Sequence, residues 1–190
     1  IACYDETHCR AVADRLRAAG VAMDRVRLVA APSNDTWARD HGPITVEVGG
    51  RPHLLDFTFN GWGGKYDADL DDRITGRLAA AGAFGSCPVE PAGLVLEGGG
   101  IESDGAGTLL TTTSCLLAPT RNPHLDQAQL EARLGELFGV DRFLWLHHGH
   151  LEGDDTDAHI DTLARVCDPE TIAYQGCDDP DDSHYPALAA

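Results

Sequence analysis

Two glycine-marked turns constrain this chain more than anything else in it, because each sits between short strand-forming runs and each is followed by a helical stretch and another strand. Ile44 to Val48 and His53 to Phe57 lie on either side of Gly49-Gly50, a pair that supplies the positive φ a two-residue hairpin turn requires. Ile101 to Ser103 and Thr108 to Thr111 flank Asp104-Gly105-Ala106-Gly107 in the same way. Leu70 to Ala81 reads as the helix after the first hairpin, and Leu94-Val95-Leu96 as the strand that follows it. After the second hairpin come a helix over Asp126 to Phe138 and a strand over Arg142 to Leu146. The chain opens with Cys9, Val12, Ala13, Leu16 and Ala19 at helical spacing, a stop at Gly20 and a strand over Arg25 to Ala30. Ala158 to Val166 and Thr171 to Tyr174 read as two more strands. A hairpin-helix-strand unit of roughly fifty residues therefore recurs about three times, which predicts an α/β fold of repeated modules.

The best-marked helix is the one over 126–138. Leu130, Leu134, Leu137 and Phe138 share a face, Asp126 is the expected N-cap with Gln129 three residues on, and Gly139 terminates it. With 43% hydrophobic residues in 190, the chain can bury a real core. It has no apolar run of about 18 residues, so no membrane span is expected. A net charge of -17 with only 14 scattered Lys and Arg excludes a nucleic-acid partner and suits a small cationic one. The six cysteines lack any Cys-x-x-Cys pair and are expected to be reduced and mostly buried, with a cytoplasmic location the default in the absence of a signal peptide. The sequence begins at Ile1 and closes on Pro186-Ala187-Leu188-Ala189-Ala190, the opening of a helix, so both ends look cut.

Three polar clusters fall at expected strand ends and loops, where a rigid scaffold presents functional groups. Asn34-Asp35-Thr36-Trp37-Ala38-Arg39-Asp40-His41-Gly42-Pro43 is, by itself, a capped turn with Trp37 packed on it. Glu97-Gly98-Gly99-Gly100 puts a carboxylate at the end of an apolar strand, followed by glycines that let a ligand or another backbone come close. It leads into a hairpin rather than a helix, which is the wrong context for a phosphate-binding loop. The third, Gly153 to Asp161, is the most informative. If Asp157 to Asp161 is extended, Asp157, His159 and Asp161 share one face. An acid, an imidazole and an acid on one surface are too costly to bury without a positive ligand. A metal is the competing ligand, since His147, His148 and His150 lie just upstream. Their spacing forms no His-Glu-x-x-His pattern, and an EF-hand register from Asp155 puts Ile160 where glycine is needed and Val166 where glutamate is needed, so no metal is expected.

Taken together, Asn34 to Pro43, Phe59-Asn60-Gly61-Trp62-Gly63-Gly64-Lys65-Tyr66, Glu97 to Leu117, Arg121-Asn122-Pro123 and Gly153 to Arg165 resemble the agmatine deiminase family and its relatives, the bacterial peptidylarginine deiminases. The blocks occur in family order and span most of the chain. The resemblance implies a pentein fold, a propeller of α/β modules about a pseudo-fivefold axis, of which this chain would hold about three of five modules. It implies that Asp40 and Asp161 hold a guanidinium, a planar permanent cation suited to paired carboxylates. It implies His159 as the general acid/base and Glu97 as the acid that positions it. Trp37, Trp62 and Asn34 are implied to contact substrate, with no metal or organic cofactor.

In that family a cysteine thiolate attacks the guanidine carbon, ammonia leaves, and water releases a ureido product. The nucleophile lies near the family's C-terminus in a Gly-rich segment followed by His-Cys, and none of the six cysteines here has that context. The chain over 1–190 is thus expected to be a partial catalytic domain that lacks the nucleophile and is inactive alone. Cys115 lies between apolar residues and is expected buried and inert, and Cys167 is expected in the core. The leading activity of the parent is hydrolysis of agmatine to N-carbamoylputrescine and ammonia, a step of polyamine and putrescine biosynthesis. Its rivals are a peptidylarginine deiminase, an amidinotransferase and a non-catalytic guanidine-binding module. The open faces of a partial propeller predict self-association as a homo-oligomer.

Overall fold

The computed structural model describes residues 1–168 and 170–189. Strand β1 (Ala2–Cys3) leads through the helix Glu6–Ala18 to β2 (Val29–Ala30), which pairs parallel with β1. Strands β3 (Ile44–Val48) and β4 (Arg51–Thr58) form an antiparallel hairpin, and β5 (Val89–Val95) adds parallel to β4. The pattern repeats in β6 (Ile101–Ser103), β7 (Thr108–Thr112) and β8 (Arg142–Leu146), with β6 and β7 antiparallel and β8 parallel to β7. A last antiparallel hairpin, β9 (Ala164–Asp168) with β10 (Thr171–Tyr174), opens a further module.

The connections follow from strand direction. Antiparallel neighbours need only a tight turn, and Gly49 and Gly50 take φ of 59° and 76° to make one. A parallel third strand needs a crossover, supplied by the helix Ile74–Ala80 in one module and Gln127–Phe138 in the next. The latter carries the expected capping box between Asp126 and Gln129, and Gly139 closes it at φ 68°. Both modules share one core, in which Leu55, Phe57 and Leu94 of the first meet Leu109, Leu130 and Leu134 of the second. The four sheets stay separate, one to each module, among the described residues.

Several expected elements are displaced, each for a visible reason. The strand over Arg25 to Ala30 is only Val29–Ala30, because Met23–Arg25 winds into a 3₁₀ turn. The helix expected from Leu70 begins at Ile74, because the preceding residues turn more tightly, with Arg73 N–H donating to the Leu70 carbonyl and Ile74 N–H to the Asp71 carbonyl. The strand expected over Ala158 to Val166 is a helical turn, Ile160–Leu163, before β9 begins at Ala164. The C-terminal segment forms one helical turn, Tyr185–Leu188, and Ala190 lies outside the described residues. All six cysteines are free thiols. Cys3, Cys9 and Cys115 are buried, but Cys167 is exposed rather than core, because the outer face of the two-stranded β9–β10 hairpin has no covering layer there. Among the described residues no helix is long and apolar enough to cross a membrane.

Candidate active site

The turn Gly98–Gly100 after β5 packs between two helical turns distant in sequence, Ala38–His41 and Ile160–Leu163. Glycine is what allows this. A Cβ at Gly98 would strike the carbonyl oxygen of Arg39, and one at Gly100 would lie 3.1 Å from Cys115 Sγ. A Cβ at Gly99 would lie 2.5 Å from His159 Nδ1, 2.6 Å from Asp40 Oδ1 and 2.9 Å from Asp161 Oδ2. Three side chains from two segments distant in sequence thus converge within 2.9 Å of one point beside a third.

They face a cavity of about 490 Å³ lined by Asp35, Trp37, Arg39, Asp40, Trp62, Tyr66, Asp155, Thr156, His159, Asp161 and Thr162. A slightly larger hollow of about 600 Å³ lies against β8 and β10, but its walls are mainly Leu, Ile and Ala and it gathers no carboxylates. In the acidic cavity Asp40 is fixed from both sides. Its Oδ1 accepts the Gly99 N–H at 2.9 Å and its Oδ2 accepts Trp62 Nε1–H at 3.0 Å. Trp62 is buried in a left-handed conformation (φ 56°), stacked edge-on between Phe59 and Tyr66. Trp37, 57% exposed, stands at the cavity mouth. Asp161 is half-buried, and desolvation pushes its carboxyl pKa up, with His159 pulling it down and the nearby Asp40 charge pushing it up again.

His159 is almost wholly buried. Its Nδ1 lies 3.7 Å from Asp40 Oδ1, too long for a hydrogen bond, and its Nε2 has no partner. Glu97 does not touch it through a hydrogen bond. Both Glu97 oxygens instead accept from Arg121 Nε, at 2.9 and 3.1 Å, a buried pair with side chains 1% and 0% exposed. The reason is electrostatic: a carboxylate with no solvent contact takes the permanent cation within reach. Glu97, Cys115 and His159 each offer a donor atom within 4.8 Å of the others. A metal ion among them would face the Arg121 guanidinium, so the donor set does not suit a cation. Burial drives the Cys115 thiol pKa far up, which makes it a poor nucleophile.

Two expectations need correction. Asp157 does not share the face of His159 and Asp161. It and Ala158 take left-handed φ of 66° and 62°, which breaks the two-residue alternation and turns Asp157 toward Arg121 and Lys65, each at 2.7 Å. Asn34 does not line the cavity, because its Oδ1 clamps the backbone at Leu70 and Asp71. The sequence reading missed Tyr66, Asp35, Asp155, Thr156 and Thr162 as lining residues. Tyr66 and Asp155 lay inside blocks already singled out, and the signal that joins them is the Tyr66 hydroxyl donating to the Asp155 carboxylate, a contact between distant segments.

An incomplete α/β propeller with acids and an imidazole gathered where its modules meet has the architecture of the pentein deiminases. A profile of the Porphyromonas-type peptidyl-arginine deiminase family matches residues 1–190, and the chain belongs to that family. It is 38% identical to the agmatine deiminase of Stutzerimonas stutzeri, over 97% of this chain and 52% of that protein. A Cys-to-Ser variant of the C. jejuni agmatine deiminase, solved with substrate bound, superposes with a TM-score of 0.87 at 38% identity, over 99% of this chain and 54% of that one. The agmatine deiminase of Enterococcus faecalis superposes with a TM-score of 0.82 at 28% identity, over 97% of this chain and 50% of that one. The chain spans about half the length of the relatives it matches.

Proposed function

We propose that this chain supplies the guanidinium-binding and proton-transfer groups of a deiminase that hydrolyses agmatine to N-carbamoylputrescine and ammonia. One observation carries the reading: Asp40, Asp161 and His159 converge around Gly99 on the wall of an acidic cavity. Two carboxylates beside an imidazole suit a planar cation, because each can accept hydrogen bonds from a different pair of guanidinium N–H groups. Asp40, held by Trp62 and Gly99, is preorganised for that role. Trp37 offers an aromatic face to a cation entering at the mouth.

The chemistry then needs a thiolate. Among the described residues no cysteine lines the cavity, so the proposal assigns the nucleophile to the part of the relatives' length that this chain does not match. Its sulfur forms a bond to the guanidine carbon, a C–N bond breaks, and His159 donates the proton that lets the nitrogen leave as ammonia. His159 next takes a proton from water, whose oxygen bonds to the carbon as the C–S bond breaks and the ureido product departs. By itself the chain is expected to bind weakly and turn over nothing. The name of the matching family favours a second reading, a peptidyl-arginine substrate, with Trp37 at the rim as the first contact for a flanking chain.

The test is an assay of the intact protein on agmatine, free arginine and an arginine-containing peptide, scoring ammonia and ureido product. Turnover of agmatine alone supports the first reading, preference for the peptide supports the second, and failure on all three removes deimination. Asp40→Ala and Asp161→Ala should each weaken guanidinium binding by roughly tenfold or more, since one carboxylate is then left to balance the cation. Unchanged affinity in both would refute their role.

A further inference from the structure

The geometry points to Arg121 and Asp157 as a positioning pair that holds the turn aiming His159 into the acidic cavity. The inference rests on the reading of His159 as the proton-transfer group. Neither ring nitrogen of His159 has a hydrogen-bond partner among the described residues, and the closest acid oxygen, Asp40 Oδ1, lies 3.7 Å from Nδ1. The direction of the imidazole is therefore set by the backbone that carries it together with its packing on Gly99 and Gly100.

That backbone is unusual. Asp157 and Ala158, the two residues before His159, are both left-handed, at φ 66° and 62°, and neither is glycine. Side chains oppose this conformation, so something must hold it. Arg121 is placed to do so: Nη1 donates to Asp157 Oδ2 at 2.7 Å and Nη2 donates to the Thr156 carbonyl at 3.0 Å, while Nε holds Glu97. One planar, buried cation thus grips the turn on two consecutive residues and ties it to the end of β5. Lys65 Nζ takes the other Asp157 oxygen at 2.7 Å. Asp154 completes the wrap by accepting the N–H groups of Thr156 and Ala158. A lysine at 121 has one donor nitrogen and cannot reach three acceptors in three directions.

The experiment uses the intact protein with Asp157→Asn, Arg121→Lys and Arg121→Met. Asparagine keeps the size of Asp157 and tolerates the left-handed conformation, so Asp157→Asn removes the charge while leaving the fold. Deimination kinetics against pH are measured beside imidazole ¹⁵N NMR of His159. The expected result is a fall in kcat of about a hundredfold with KM changed less than about threefold, as for a catalytic group misplaced by about 1 Å. A changed ¹⁵N tautomer signature of His159 should accompany it, with Asp157→Asn folded throughout and Arg121→Lys recovering only part of what Arg121→Met loses. A folded Asp157→Asn with an unaltered His159 spectrum and pH profile overturns the proposal, whatever its melting temperature. If the unsubstituted protein turns over no guanidine at all, the functional reading of the site has failed, and the His159 spectra alone decide the positioning role.

Discussion

Gly99→Ala is the sharpest perturbation this site allows, because it adds one methyl group at the point where the functional side chains meet. Gly99 is not left-handed, so the cost is steric and not conformational. The new Cβ would sit 2.5 Å from His159 Nδ1, 2.6 Å from Asp40 Oδ1 and 2.9 Å from Asp161 Oδ2. Ordinary contact begins near 3.4 Å, so each group must retreat by about 0.5 to 0.9 Å. Asp40 cannot retreat freely, since both its oxygens are bonded, to Gly99 N and Trp62 Nε1. Losing one such charge-assisted bond costs about 1.5–3 kcal/mol, and overpacking a filled site costs about 1–3 kcal/mol. Guanidinium affinity should fall about a hundredfold, or roughly 2.7 kcal/mol, measured by titration calorimetry with agmatine on the intact protein. Gly105→Ala is the control: it lies in the β6–β7 turn at φ 67° with no atom within 4 Å of its Cβ, so it should cost stability and leave binding alone. A folded Gly99→Ala protein that binds agmatine within about twofold of the original would refute the convergence argument.

Asp161 gives a prediction whose sign depends on pH. Burial raises its folded pKa above the unfolded value, so ionising it costs stability above the folded pKa, and the cost fades as pH falls toward the unfolded value near 4. Asp161→Asn should therefore raise Tm at pH 7 and lose that advantage in acid, while guanidinium binding drops; a lower Tm at pH 7 would contradict the sign. Asp126→Ala removes the capping box of the helix Gln127–Phe138 and should cost about 1 kcal/mol by urea denaturation, with no change in binding. A thiol reagent should modify exposed Cys167 in the native protein and leave Cys115 untouched until unfolding, and early labelling of Cys115 on peptide mapping would contradict its burial.

Much of this architecture was legible from local rules. The Gly49-Gly50 hairpin, the Asp126 cap with its Gly139 stop and the strand Arg142–Leu146 all form as their residues dictate, because each depends on contacts within a few positions. The triple glycine after Glu97 also read correctly as a place of close approach, although what approaches, Arg39, Asp40, Cys115, His159 and Asp161, comes from segments far away in sequence. The errors arose where a distant partner decides local conformation. The N–H groups of Leu70 and Asp71 donate to Asn34 Oδ1, which makes an expected ligand residue a structural clamp.

Asp157 is the most instructive of these. By alternation it belonged with His159 and Asp161 as a third acid facing the substrate. Had the segment been extended, three like charges and an imidazole would have crowded one face, and the cavity would carry more negative charge than one guanidinium balances. The left-handed pair at 157 and 158 resolves that conflict by rotating Asp157 out to two cations, Lys65 and Arg121, while keeping His159 and Asp161 turned in. Desolvation raises the Asp157 carboxyl pKa, but hydrogen bonds and charges from Arg121 and Lys65 overcome it and leave the group ionised to lower pH than usual. The two acids thus differ in kind. Asp157 is stabilised by partners already present in the chain, whereas Asp161 is left under-compensated, with its pKa raised. A carboxylate short of positive charge has the most to gain from a cation, which is why the proposed guanidinium-binding role falls to Asp161 and not to Asp157.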